Sequence, residues 1–172
     1  IQECLGPIRY VTGHAGAYFF PEHAISGCDD FGSLTLIDIE GRVATFSGGR
    51  TGVAGHPQGG QARAYLIGSR QSAIVDSKRP ALDAYLRELL TGYDYQPSSQ
   101  DPMQWHGGPP ALSAALAADV AGLSVGLEDF VAAIDAGRPT RYGVQQGRNL
   151  MEILLAGYRS VEHGGTVTLE DA

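Results

Sequence analysis

Among the side chains that could carry chemistry, the pentapeptide Gly122-Leu123-Ser124-Val125-Gly126 comes first. It matches the GxSxG pattern, in which a nucleophilic serine stands on a strained turn between a strand and a helix. What precedes it, Leu112 to Val120, is alanine-rich and reads as helix, so Ser124 falls between two helices and reads as the N-cap of the second. The five histidines, His14, His23, His56, His106 and His163, show no HxxxH, HxH or HExxH spacing and have no cysteine pair nearby, which leaves a dedicated metal site without support. His56 in a glycine-rich loop and His106 beside Trp105 stay as binding candidates, because loops carry binding groups and an imidazole next to an indole can face a sugar-like ligand. Lys78, the sole lysine, closes a strand with no carboxylate neighbour and reads as a solvated edge charge. The adjacent acids Asp29 and Asp30, like Glu128 and Asp129, point in different directions and suit turn and helix-start chemistry better than an acid–base pair. Neither GxGxxG nor GxxxxGK[ST] occurs, so Gly48, Gly49, Gly52, Gly55, Gly59 and Gly60 read as strand ends and loop turns rather than a phosphate cradle.

The elements that must position these residues belong to a chain of 172 residues, the size of one domain, 43% hydrophobic and 18% charged, as folded globular proteins are. Lys plus Arg 12 against Asp plus Glu 19 gives a net charge of -7, which repels phosphate backbones and anionic lipid and argues against nucleic acid as a partner. No apolar run approaches the ~18 residues of a membrane span, and no secretory pattern opens the chain. Cys4 and Cys28 form no CxxC pair. They read as buried or bystander thiols, and a reducing cytoplasm is the expected compartment.

From Ile8 to Phe20, β-branched and aromatic residues predict one long strand, with Gly13 and Gly16 as places for a bulge. Phe31 to Ile39 and Arg42 to Gly49 predict a hairpin turning at Gly41, and Ala62 to Ile67 with Ser72 to Asp76 predict a second. Ala81 to Leu90 has helical composition, and Tyr93 to Pro110, with Pro97, Pro102, Pro109 and Pro110, reads as a long linker. Leu112 to Leu123 reads as a helix. In the next helix Leu127, Phe130, Val131 and Ile134 recur at i, i+3, i+4 and i+7, with Gly137 as its stop before Pro139. Burying those four side chains would contribute on the order of 6 to 12 kcal/mol at most, so this helix is expected to dock. A third helix, Tyr142 to His163, carries Met151, Leu154, Leu155, Tyr158 and Val161 on one stripe and ends at Gly164 and Gly165. Thr166 to Glu170 predicts a terminal strand. Strands followed by helices, without βαβ alternation, indicate an α+β fold: an open, mostly antiparallel sheet with helices packed on one face.

Ile1 to Leu5, followed by Gly6 and Pro7, reads as the last turn of a helix whose body is missing. The chain is therefore expected to be the C-terminal part of a longer polypeptide.

Four stretches carry a resemblance. Phe130 to Pro139, then a helix ending Ala156-Gly157-Tyr158-Arg159-Ser160, then Gly165 and Val167, is similar to the C-terminus of the glucose-fructose oxidoreductase and inositol dehydrogenase family (Gfo/Idh/MocA). Leu5-Gly6-Pro7-Ile8-Arg9 resembles that family's entry into its large sheet, and Asp30-Phe31 to Thr45 its central hairpin. Leu66-Ile67-Gly68-Ser69-Arg70 resembles its hairpin turn, with Gln71 where glycine is usual. The resemblance implies a C-terminal substrate-binding and oligomerisation domain of an NAD(P)-dependent sugar or polyol dehydrogenase, residues 1–172. In that family the cofactor and the catalytic lysine of a Glu-Lys-Pro motif belong to an N-terminal Rossmann domain, so no catalytic or cofactor-binding residue is carried over. By position relative to the sheet, Arg50, His56, Gln61, Trp105 and His106 are the expected substrate-facing rim. One sheet face would line the sugar site and the other would form a homo-oligomer. The chain alone is expected to be inert. The alternative is a free-standing, sheet-mediated binding or dimerisation module, which a hydrophobic sheet face would suit.

Overall fold

The computed structural model describes residues 4–50, 62–68, 71–76, 81–86, 112–115 and 123–169. The chain divides into two compact units, one comprising Ile1–Gly52 with Ala132–Ala172, the other Val53–Val131. The architecture is α+β, as the order of elements predicts, with the strands shared between two four-stranded antiparallel sheets.

In the first unit β1 (Ile8–Gly16), β2 (Phe31–Asp38), β3 (Val43–Gly49) and the short terminal strand, Val167–Thr168, form a sheet in the order β3, β2, β1, terminal strand. Cross-strand pairs run Val11 to Leu36 to Ala44 and Gly13 to Leu34 to Phe46, so these residues share one face. On that face Val11, Leu36, Ile153 and Ala156 form the core, with Leu5, Ile8, Leu34, Val167 and Leu169 packed around them. The opposite face carries a threonine row, Thr12, Thr35 and Thr45, and Thr12 shares a 2.8 Å hydroxyl bond with Thr166.

The strand predicted to reach Phe20 stops at Gly16, and a six-residue helix, α1 (Pro21–Ser26), follows. The cause is Asp30. Its buried carboxylate accepts hydrogen bonds from the backbone N–H groups of Tyr18, Phe19 and Phe20 at 2.8–2.9 Å, which removes those donors from any strand ladder. Proline at the first helical position and Gly27 in the left-handed conformation (φ 67°) bound α1, a signature present in the sequence.

The hairpin turn from β2 to β3 is organised by a second buried carboxylate, Asp38, which accepts N–H bonds from Gly6, Glu40 and Arg42 and pairs with the Arg42 guanidinium. Burial alone would raise the Asp38 pKa, but the Arg42 side chain and the three backbone donors reverse this and hold it at about 2, against an ordinary 3.8. Asp30 shifts down for the same kind of reason, its backbone donors outweighing burial. Because both folded-state pKa values lie below the unfolded value, this stabilisation is complete above about pH 4 and is lost as pH falls towards 2. The urea midpoint is therefore expected to drop across that window, and Asp38→Asn to flatten the profile while lowering stability at neutral pH. A midpoint as steep in the variant as in the parent would refute the assignment.

The long helix α3 (Val144–His163) begins where Gly143 N–H donates to the Gln146 side chain and ends at Gly164 (φ 65°). The stripe expected to be buried is not the one that packs. Ile153, Ala156, Gly157 and Ser160 face the sheet, whereas Met151, Leu154, Leu155, Tyr158 and Val161 are 36–54% exposed. The small residues win because Gly13 on β1 leaves no side chain between strand and helix. A Cβ at Gly13 would lie 2.6 Å from the Gly157 carbonyl oxygen. Ser160 completes the seam by accepting a 2.8 Å hydrogen bond from Gly13 N–H and donating to the Gly165 carbonyl.

In the second unit β4 (Arg63–Ile67), β5 (Gln71–Asp76), β6 (Ala81–Leu86) and β7 (Leu112–Ala115) form a meander in sequential order. The Arg63–Asp76 ion pair, 2.9 Å, sits on a registered pair of β4 and β5. Two segments expected to be helical are strands here, 81–86 and 112–115. Helix propensities differ by only tenths of a kcal/mol per residue, and β6 gains a complete ladder against β5 and four further pairs against β7. The linker expected at 93–110 lies outside the described residues.

Helix α2 (Leu123–Ala136) starts one residue before Ser124, so the expected cap lies inside the helix, and Gly137 (φ 60°) ends it as expected. Among its described side chains, those of the predicted apolar stripe, Leu127, Phe130, Val131 and Ile134, are 53–64% exposed, and Ala133 is the buried one. Amphipathic spacing specifies an apolar face but not that its partner surface lies within the same chain. Among the described residues, no helix is long and apolar enough to cross a membrane.

Candidate functional site

A cavity of about 250 Å³ opens in the first unit where the end of β3 and the start of β2 meet the outer side of α3. It exists because four glycines leave room: Gly32, Gly48 and Gly49 on the strands and Gly157 on the helix. A Cβ at Gly49 would collide with the Asp30 carbonyl, and Arg50 N–H donates to that same carbonyl at 2.8 Å, so the strand end is drawn tightly against the loop before β2.

Apolar walls come from Leu34, Phe46, Leu154 and Val161. These include two residues of the α3 stripe that the sheet does not bury. Polar groups come from His14, Asp29, Asp30, Ser33, Arg50 and Tyr158. The neighbouring Asp29 carboxylate, as hydrogen-bond acceptor and as negative charge, holds the Tyr158 phenol above its ordinary pKa. Asp29 and its neighbour Asp30 diverge as adjacent acids should. Asp30 turns inward to the backbone of Tyr18 to Phe20, and Asp29 turns to the cavity.

Of the expected rim residues, Arg50 lines this cavity. His56, Gln61, Trp105 and His106 lie outside the described residues. Asp29 and Tyr158 were not expected there. Their meeting across 129 positions has no local signal, and Tyr158 reads in sequence as one more member of an apolar stripe. The described residues contain no cluster of three or more His, Cys, Asp or Glu that could hold a metal ion. Cys4 and Cys28 are free thiols, exposed rather than buried. The residues present do not fit a dinucleotide: the sequence lacks a phosphate-cradling glycine motif, and the cavity sets two carboxylates against one guanidinium.

No protein-family profile matches this sequence, and no curated protein is significantly similar to it. Solved structures are. Levoglucosan dehydrogenase in complex with NADH superposes with a TM-score of 0.70 at 15% identity, over 97% of this chain and 46% of its own. An oxidoreductase from Agrobacterium radiobacter, in complex with NAD+, L-tartaric acid and magnesium, gives 0.64 at 15% identity over 95% and 44%. The WlbA dehydrogenase from Bordetella pertussis, in complex with NADH and UDP-GlcNAcA, gives 0.59 at 14% over 97% and 42%. The chain shares its fold with these oxidoreductases. They are of the type that the sequence resemblance indicates, Gfo/Idh/MocA, and the chain spans less than half the length of each.

Proposed function

We propose that this chain is the C-terminal, sheet-bearing part of an NAD(P)-dependent oxidoreductase of the Gfo/Idh/MocA family that acts on a sugar or polyol. The observation that carries the reading is the superposition of nearly the whole chain, 94–97% of it, on less than half of each of several oxidoreductases. In this reading a dinucleotide-binding domain outside the chain supplies NAD or NADP, which exchanges a hydride with the substrate, together with the catalytic lysine. The chain itself binds and orients the substrate with a rim of Arg50, His56, Gln61, Trp105 and His106, and residues 1–172 act as one substrate-binding and oligomerisation domain.

Of these five, Arg50 lies among the described residues and lines the cavity, and its guanidinium offers five donors for substrate oxygens. In the complete enzyme, Arg50→Ala is expected to raise KM about tenfold with kcat little changed, the signature of lost uniform binding. Unchanged KM for both Arg50→Ala and His56→Ala would remove the rim. The isolated chain is expected to bind neither NADH nor NADPH, and cofactor fluorescence enhancement by this chain alone would contradict the division of labour.

Self-association is assigned to the sheet face that α3 leaves open. That face carries the Thr12–Thr35–Thr45 row beside the row of Tyr10, Ile37 and Val43, a mixed polar and apolar surface of the kind that protein interfaces use. Sedimentation of the complete enzyme tests it: Thr35→Arg is expected to yield monomers, and an unchanged oligomer would exclude this face.

A further inference from the structure

We propose that Phe19 of one copy of this chain enters the cavity beside α3 of a second copy, and that the second copy returns the same contact about a two-fold axis. The inference stands apart from the oxidoreductase reading and rests on a projection and a recess that adjoin one another on the first unit.

The projection is the segment from Tyr18 to Ile25. No residue of α1 is buried, and Tyr18, Phe19 and Ile25 are 63%, 62% and 88% exposed. The segment is nevertheless fixed, because the Asp30 carboxylate holds the backbone of Tyr18, Phe19 and Phe20, and a fixed segment loses little entropy on binding. The Tyr18 ring lies against Gly16, where a Cβ would come within 2.9 Å of it, and the Phe20 ring meets His23 with centroids 5.1 Å apart. Phe19 is the aromatic of the three without such a neighbour among the described residues.

The recess fits a ring. An apolar cavity of ~150 Å³ is enough to take up benzene, and this one measures about 250 Å³ with Leu34, Phe46, Leu154 and Val161 as walls. Phe19 of the same chain does not line it. A two-fold interface is self-complementary, so one patch must carry both the projection and what receives it. Asp30 joins the two here, since it anchors the projection and lines the cavity. The area also suffices. At about 150–250 Å² for a large side chain, the exposed parts of Tyr18, Phe19, Phe20 and Ile25 together with those of Phe46, Leu154, Tyr158 and Val161 come to about 800 Å² per copy, the share of one partner in an interface of standard size.

The test uses the Thr35→Arg chain, which takes the open sheet face out of play. Sedimentation equilibrium at about 100 μM is expected to show a dimer with a dissociation constant on the order of 10 μM, so that at about 1 μM, where sheet-face assembly is read, this contact has come apart. Adding Phe19→Ser is expected to weaken the dimer about thirtyfold or more, as the loss of a central aromatic anchor does. Adding Val161→Trp, which fills the recess instead, is expected to weaken it likewise with Phe19 in place. A benzophenone side chain substituted for Phe19 gives a readout that no loss of stability imitates. In a mixture of isotope-labelled and unlabelled chains, light is expected to join it to Phe46, Leu154 or Val161 of the other copy.

The proposal is overturned by a monomer at about 100 μM, by a dimer that neither substitution weakens, or by crosslinks confined to one copy or landing away from the cavity. Sheet-face assembly fails separately, if Thr35→Arg leaves an oligomer at about 1 μM that Phe19→Ser does not weaken.

Discussion

Gly13→Ala is expected to destabilise the first unit by about 3 kcal/mol, at the upper end of overpacking costs. The added methyl would stand 2.6 Å from the Gly157 carbonyl oxygen, 3.1 Å from its carbonyl carbon and 3.2 Å from its Cα. All three are backbone atoms of α3, so relief requires moving the helix off the sheet and with it Ile153 and Ala156, half of the core. The mirror substitution should behave differently. A methyl on Gly157 also meets an atom at 2.6 Å, but that atom is the Leu34 Cδ2, the end of a side chain bordering the cavity, with space to swing into. Helix propensity favours alanine there by about 0.5–1 kcal/mol, which offsets part of the repacking cost. Urea unfolding of the two variants is thus expected to separate them by about 2 kcal/mol. Equal losses would mean that the strand–helix seam is not the tight element described.

Ser160→Ala is expected to cost about 2 kcal/mol, and its cause is directional bonding rather than volume. Ser160 is 1% exposed, and its hydroxyl oxygen serves the Gly13 N–H while its proton serves Gly165. The terminal strand pairs with β1 only at Tyr10 and Val11 and ends before it reaches Gly13. The serine therefore does for Gly13 what the next strand residue would have done. Alanine leaves that amide buried without an acceptor. Hydrogen exchange gives a second readout: protection of the Gly13 amide should fall far more than that of Leu36 in the core. Uniform loss of protection would point to general loosening and against a local bond.

These two positions also show where sequence reasoning met its limit. Periodicity located α3 and its stop at Gly164, and it identified an apolar stripe from Met151 to Val161. Size and hydrophobicity then selected the wrong face, because the residues that pack are one small-residue row, Ala156, Gly157 and Ser160, beside Ile153. Helix-to-sheet distance decides that choice, and it is set by Gly13, a residue 144 positions away whose effect no window along the chain contains. The same holds for the cavity. Asp29, next to an Asp30 that serves the backbone of Tyr18 to Phe20 as a turn acid should, lines the cavity with Arg50 at the end of β3. Tyr158 joined them only because α3 lays its large side chains outward, past the sheet edge.

By itself, the sequence determined the α+β class, a first strand starting at Ile8, the hairpin of 31–39 and 42–49 turning at Gly41, the helix that ends at Gly137 and the one that ends at Gly164, and the resemblance to an oxidoreductase family. Those features follow from local alternation, turn chemistry and helix stops, which act over a few residues. Tertiary structure alone decided that α1 interrupts the first strand, that 81–86 and 112–115 pair as strands, that α2 keeps its apolar stripe exposed, and that small residues face the sheet. Three of those outcomes turn on a partner outside the element itself: the Asp30 carboxylate for α1, the β5 ladder for 81–86, and the Gly13 seam for α3. Local propensity is worth tenths of a kcal/mol per residue, and a ladder of hydrogen bonds or a close-packed seam outweighs it.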